Sequence, residues 1–231
     1  MSAAGARARV RAELTREIAE VARRHLAVEG AAGLSLRAVA REMGMASSAV
    51  YRYFPSRDDL LTALIIDAYN AIGEAAEAAD ADVSRDDLFG RWQAVCGAVR
   101  AWALAHPHEY SLVYGSPVPG YAAPETTIGP AGRVALVLCR IVAEGVASGA
   151  VDGKTDETGL DATIATGLAV EVGLPDDPSG SLAARAVLAW TTVFGLINFE
   201  LFGHTHNVVV DDEAYFVGMT ARSAAQLGLR T

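Results

Sequence analysis

Ser47, Ser48, Ala49, Tyr51, Arg52 and Tyr53 crowd two small hydroxyls, two phenols and a guanidinium into seven residues. On a helix over about Ala46–Phe54 they fall off the stripe that Val50 and Phe54 occupy, so they face outward. Small hydroxylic, aromatic and cationic groups placed together suit contact with base edges, thymine methyls and phosphates. Two ordinary capped core helices would have no use for Tyr51-Arg52-Tyr53 exposed beside Ser47-Ser48.

Such a group needs elements that aim it. A short helix over Leu36–Met43 comes first, with Ser35 placed as its N-cap and Gly44 as its stop. Leu36, Val39, Ala40, Met43, Met45, Val50 and Phe54 supply the interior where the two helices meet, and Ala40 is small where they must approach closely. Two short helices joined by a glycine turn place the second in a major groove while the first crosses the backbone.

The rest of the chain reads as helix as well. Apolar residues make up 52% and aromatics only 7%, and long runs rich in Val, Ile, Thr and aromatics, as strands need, are missing. A first helix over about Arg9–Glu29 carries Val10, Leu14, Ile18, Val21, Ala22 and Leu26 on one stripe, and Gly30 and Gly33 end it. Pro55 breaks the second short helix, and Ser56 with Asp59 resembles a capping box opening a long helix to about Asp80. Further helices are expected over about Arg85–Ala105, Pro107–Tyr114, Pro130–Ala147, Glu157–Val172, Ser179–Phe202 and Asp212–Leu227. Gly115–Gly129, with three prolines, reads as a loop or lid.

A net charge of −9 is an unpromising total for a DNA binder until it is mapped. Residues 1–57 hold ten Arg and five Glu, a balance of +5, whereas residues 58–231 hold nine basic and twenty-three acidic residues, a balance of −14. The basic end can meet phosphates. The first residues have no apolar run like that of a secretory signal, and the longest charge-free apolar stretch, Ala186–Phe199, is short of a bilayer span. The expectation is a soluble, cytoplasmic protein with no membrane partner, in which Cys96 and Cys139 are free core thiols.

The stretch Leu34–Leu64 resembles the tetracycline-repressor (TetR) family of bacterial one-component regulators. The matching residues are Leu34-Ser35-Leu36-Arg37, Ala38-Val39-Ala40, Met43-Gly44-Met45, Ala49-Val50-Tyr51, Tyr53-Phe54 and Ser56-Arg57-Asp58-Asp59-Leu60-Leu61. The resemblance implies an all-α protein: a three-helix helix-turn-helix domain over 11–71, then a larger helical effector-binding and dimerisation domain over 72–231. It implies base-edge roles for Ser47, Ser48, Ala49 and Arg52, and phosphate roles for Ser35, Arg37, Tyr51, Tyr53 and Arg57. Tyr53 stands where the family often has His. The implied partners are a double-stranded DNA operator, a small-molecule effector and a second copy of the chain.

The C-terminal part echoes one class of the family's ligand-binding domains, in Trp102…His106-Pro107-His108…Tyr110 and in Trp190…Phe194-Gly195, where Phe194 replaces a common His. The helix over Ser179–Phe202 is apolar nearly all round, which implies burial on two sides. By resemblance one side is the dimer interface, through Trp190, Val193, Phe194, Ile197 and Leu201. Trp92, Trp102, Tyr110, Tyr114 and Tyr121 are candidate effector-pocket residues. Gly149–Thr155 has the wrong spacing for a phosphate loop and no strand leading in. His108-Glu109 lacks the second His of a zinc-protease helix, and no Gly-x-Ser-x-Gly or Cys-x-x-Cys occurs. The sequence therefore points to a regulator without catalytic residues, metal or cofactor.

Overall fold

The computed structural model describes residues 3–151, 174 and 181–230. Among them lie nine α-helices and no strand: α1 (Ala3–Gly33), α2 (Leu36–Glu42), α3 (Ser47–Val50), α4 (Arg57–Ala81), α5 (Leu88–Ala105), α6 (Pro107–Tyr114), α7 (Ile128–Ala147), α8 (Ser181–Leu201) and α9 (Asp212–Leu227). A 3₁₀ turn, Glu125–Thr127, leads into α7. The helix expected over Glu157–Val172 lies outside the described residues. α1 begins earlier than its apolar stripe suggested, and Gly30, at φ 68°, kinks it near its end.

The chain divides into two compact units. The first holds α1 to Tyr69 together with His106–Pro130, and the second holds Asn70–Ala105 and the chain from Ala131 onward. This differs from a single cut between 71 and 72, because α6 and the loop after it belong with the N-terminal unit. Leu112, Val113, Val118 and Tyr121 pack on that unit's core, Tyr69 donates its hydroxyl to the Val113 carbonyl at 3.1 Å, and the Thr62 and Tyr121 hydroxyls bond at 2.9 Å. No local pattern at 106–130 announces this, since it depends on which apolar surface those side chains cover.

In the first unit Ile18, Ala22, Leu36, Val39, Ala40, Val50, Leu60 and Leu61 are fully or almost fully buried together. Polar ties lock α1 to the elements around this core. Arg23 pairs with Asp67 of α4 at 2.7 Å, and Arg24 pairs with Glu42 of α2 at 2.6 Å. His25 also bonds Glu42 at 2.6 Å, and the bonds from Arg24 and His25 hold the Glu42 carboxyl below its usual range. At the start of α4 the Ser56 hydroxyl accepts from the Asp59 N–H at 3.1 Å and donates to the Asp59 carboxylate at 2.6 Å. Ser56 is thus the cap, and Asp59 orients its hydroxyl.

The second unit is organised around buried charge. Asp80 and Arg91 are almost wholly buried and bonded at 2.8 Å; Arg85 and Arg140 also donate to Asp80, and Glu144 accepts from both Arg85 and Arg91. The cluster fastens α4, α5 and α7 at one point. Paired forks extend it: Arg133 of α7 grips Glu77 of α4 at 2.9 and 2.7 Å, and Arg100 of α5 grips Glu200 of α8 at 2.7 Å twice. Gly73 leaves the space in which Arg133 lies, for a Cβ there would sit 2.8 Å from its side chain. By length and composition the segment Glu125–Ala147 and α8 could each cross a membrane. Both instead bury a stripe in this unit and carry a partner of these ion pairs.

Burial pushes the Asp80 pKa up, but the bonds from Arg91 and Arg85 outweigh it, so the carboxyl titrates below its usual 3.8. The resulting stability is present above the unfolded-state value and is lost as pH falls through the lower folded value. Asp80→Asn is expected to lower stability by about 3–5 kcal/mol at neutral pH, because it leaves Arg91 buried without its main partner. Urea titration across pH checks this, and the variant should also lose part of the wild type's decline below about pH 4.

Candidate nucleic-acid interface

The outward-facing residues of α3 depend first on the turn before it. Gly44 takes φ 65°, a left-handed conformation that costs other residues about 1–2 kcal/mol. It allows the Met45 N–H to bond the Ala40 carbonyl at 2.9 Å and the Gly44 N–H to bond that of Arg41 at 3.1 Å, which satisfies the end of α2. The chain then reverses into α3. This helix is shorter than its apolar pattern suggested: one α-turn, Ser47–Val50, followed by tight i→i−3 bonds from Arg52 to Ala49 and from Tyr53 to Val50 at 3.2 and 2.9 Å. Val50 has no exposed surface and Phe54 almost none, and they anchor the two ends.

With that anchor, Ser47, Ser48, Tyr51 and Arg52 stand exposed, as does Arg37 of α2, while Ser35, Ala49 and Tyr53 are half-buried. Ser35 occupies the N-cap position of α2, yet its hydroxyl makes no capping bond. Arg57 does not match the phosphate role expected of it. Its Nη2 donates to the Ala31 carbonyl at 2.7 Å and its Nε to that of Leu34 at 3.2 Å. The guanidinium closes the end of α1 onto the start of α4, so it is a staple inside the head and not a free surface cation.

Arg11 was not singled out from the sequence, and it belongs to the site. Its Nη2 donates to the Arg52 carbonyl at 3.0 Å, and its guanidinium sits 5.1 Å from the centre of the Tyr53 ring. It braces the end of α3 from α1. The contact joins residues 41 positions apart, and an arginine on a solvated helix face carries no local mark of it.

The candidate effector residues fall in different units. Trp92 is buried in the second, where its indole N–H bonds the Thr220 carbonyl at 3.1 Å; Trp102 is buried on the same helix, α5. Tyr110, Tyr114 and Tyr121 belong to the first unit with Tyr69. Tyr114 stacks against Tyr110 at 5.0 Å and lies edge-on to Tyr69 at 5.7 Å. The Tyr110 hydroxyl is buried without a hydrogen-bond partner among the described residues, and burial pushes its pKa upward. Within the second unit an apolar pocket of about 200 Å³ is walled by Ala135, Cys139, Leu174, Ala183, Ala186, Val187 and Trp190. Burial pushes the Cys139 thiol up to about 11, so that wall is neutral. Small residues on the facing turns of α7 and α8 leave this space, which was the available sequence signal.

The expected dimer residues need correction. Val193 and Ile197 have no exposed surface and Phe194 almost none, so they belong to the protomer's own core. Leu201 is half-buried, and Trp190 is 40% exposed as well as lining the pocket. A helix apolar on every side does not declare which side its own domain covers. The outer side carries Leu188, Thr191 and Phe199, with Phe202 just beyond; on α9, Tyr215 and Val217 are likewise exposed.

Comparison with known proteins gives the site its context. Residues 18–64 match the family described as bacterial regulatory proteins, tetR family, and residues 92–222 match the tetracyclin repressor-like C-terminal domain. The chain is 41% identical over 202 residues to the HTH-type transcriptional regulator Rv1816 of Mycobacterium tuberculosis, covering 86% of this chain and 85% of that one. It is 27% identical over 221 residues to the uncharacterized HTH-type transcriptional regulator Rv0681 of the same organism, covering 95% and 84%. Among solved structures, the putative regulatory protein SCO4313 superposes with a TM-score of 0.74 at 32% identity, covering 94% of this chain and 98% of that one. A protein of unknown function from Rhodococcus sp. RHA1 superposes at 0.68 with 27% identity, covering 93% of each.

Proposed function

The chain belongs to the tetR family of bacterial DNA-binding transcriptional regulators, and from that premise we propose that it is a homodimeric cytoplasmic repressor which a small apolar molecule releases from a palindromic operator. The observation that carries the reading is the exposed set Ser47, Ser48, Tyr51 and Arg52, held on a helix whose inner side is anchored by Val50. Two such heads, about 34–36 Å apart, match successive major grooves on one side of a duplex. Arg52 is assigned to a base edge with Ser47, Ser48 and Ala49 around it. Arg37, Tyr51, Tyr53 and Ser35 are assigned to phosphates.

The partner subunit is assigned to the outer side of α8, through Leu188 and Phe199, with Tyr215 of α9 exposed as well. Large apolar side chains exposed along one helix mark a surface that another protein covers. The effector is assigned to the second unit. A pocket of about 200 Å³ with an apolar wall has room for roughly one aromatic ring and a few further atoms, judged against engineered apolar cavities that bind benzene. α4 belongs to both units, which makes it the element able to carry a change at the pocket into the spacing of the heads.

Selection of bound fragments from random duplex DNA should return a palindrome. On that operator Arg52→Ala is expected to relax the preference at one position per half-site, at about 1–3 kcal/mol, whereas Arg37→Ala weakens all sequences alike. An unchanged preference in Arg52→Ala would remove it from the reading set. Phe199→Glu puts an unpaired charge at the proposed interface, and the folded protein should sediment as a monomer with loss of tight operator binding. A variant that stays dimeric places the interface elsewhere. A releasing ligand must bind more weakly, by the same factor, when operator is present. Calorimetric titration with and without saturating operator checks this, and equal affinities would exclude release by that ligand.

A further inference from the structure

The first turns of α1 carry a basic face of which the assignments above use only Arg11, as a brace on the end of the reading helix. Arg7 and Arg11 are one helical turn apart and share a side of the helix. Between that side and Tyr53 runs an open groove of about 450 Å³, walled by Ala6, Arg7, Val10, Arg11 and Tyr53. Among the described residues no carboxylate lines it. Both arginines are exposed, and neither takes part in an ion pair among the described residues, in contrast to Arg23, Arg24 and Arg57 of the same unit. These residues precede the stretch that matches the family's helix-turn-helix, which begins at residue 18.

We propose that this groove is a second DNA-backbone site, in which Arg7 and Arg11 hold a phosphodiester strand running past the end of the reading helix. Three observations fit that occupant. The walls alternate cation with short apolar side chain, which suits phosphate oxygens separated by sugars. Tyr53, assigned to a phosphate from the family pattern, forms the opposite wall, so the groove continues the reading surface. Arg11 is already oriented, since the Arg52 carbonyl takes one of its five donors and its guanidinium carbon lies over the Tyr53 ring. A duplex engaged by α3 would bring its backbone to a cation held at the end of that helix. The contact carries no base information, so it adds affinity without sequence preference.

The inference rests on the DNA-binding reading, and the test separates the two. Operator and an unrelated duplex of equal length are titrated over a range of salt with the full chain, Arg7→Ala, Arg7→Lys and Arg16→Ala. Arg16 is exposed and lies two and a half turns from Arg7, on the opposite side of α1, so it controls for the loss of one charge. Arg7→Ala should make the slope of log affinity against log salt shallower by about 0.9 per protomer bound, roughly eightfold in affinity per protomer at 0.1 M salt. Operator and unrelated duplex should weaken alike. Arg7→Lys should keep the wild-type slope, and Arg16→Ala should leave it unchanged. A wild-type slope in Arg7→Ala, or an equal loss in Arg16→Ala, overturns the groove assignment and leaves the operator reading standing. A wild-type chain that binds neither duplex overturns both.

Discussion

A helix of one turn cannot hold its shape in water, because nucleation costs more than its few hydrogen bonds return. α3 is such a helix, and it carries the residues proposed to read DNA. Its position is therefore imposed from outside, by the burial of Val50 and Phe54 beneath it, by the left-handed Gly44 before it and by Arg11 against its end. Most of the first unit serves that constraint. α1 meets α2 through Arg24 and His25, α4 through Arg23 and the Arg57 staple, and α3 through Arg11. Arginines that look like one basic surface in the sequence therefore differ: Arg23, Arg24 and Arg57 are tied up in building the head, and Arg37 and Arg52 stand exposed.

The second unit has a different economy of contacts. α7 buries one clear stripe, but α8 is so apolar that hydrophobic burial alone would tolerate several rotations of it. Paired forks do not. Arg133 on Glu77 and Arg100 on Glu200 each need one geometry, and the Asp80–Arg91–Glu144 cluster closes only if α4, α5 and α7 meet at one place. These ties specify a register, which an apolar pocket requires if its volume is to be reproducible.

The division of charge links the two halves to function. The basic excess lies in residues 1–57, which carry the helix-turn-helix, while the acidic excess lies in residues 58–231, including Asp58, Asp59, Asp67, Glu109 and Glu125 of the first unit. The apolar pocket has a neutral wall, so occupancy by an apolar molecule is nearly independent of the salt that governs DNA binding. In the proposed regulator the two affinities answer to separate physical conditions, and α4, which runs through both units, is the element proposed to couple them.

Most helix positions among the described residues, the glycine turn and the outward set around Arg52 were legible from the sequence, because each is a local matter of spacing, capping and allowed φ. Pro107–Tyr114 and Asp212–Leu227 have the bounds that proline, aspartate and glycine imply. What required the folded chain was the meaning of residues whose local context is neutral. Arg57 and Arg11 are both cations on helices of one unit, and only contacts across 26 and 41 residues distinguish the first as a staple and the second as a brace. Val193 and Ile197 match Leu188 and Phe199 in hydropathy, and only the covering helices decide which pair is core. Residues 106–130 joined the first unit for the same reason: burial is a property of what lies opposite, and a one-dimensional pattern does not contain its partner.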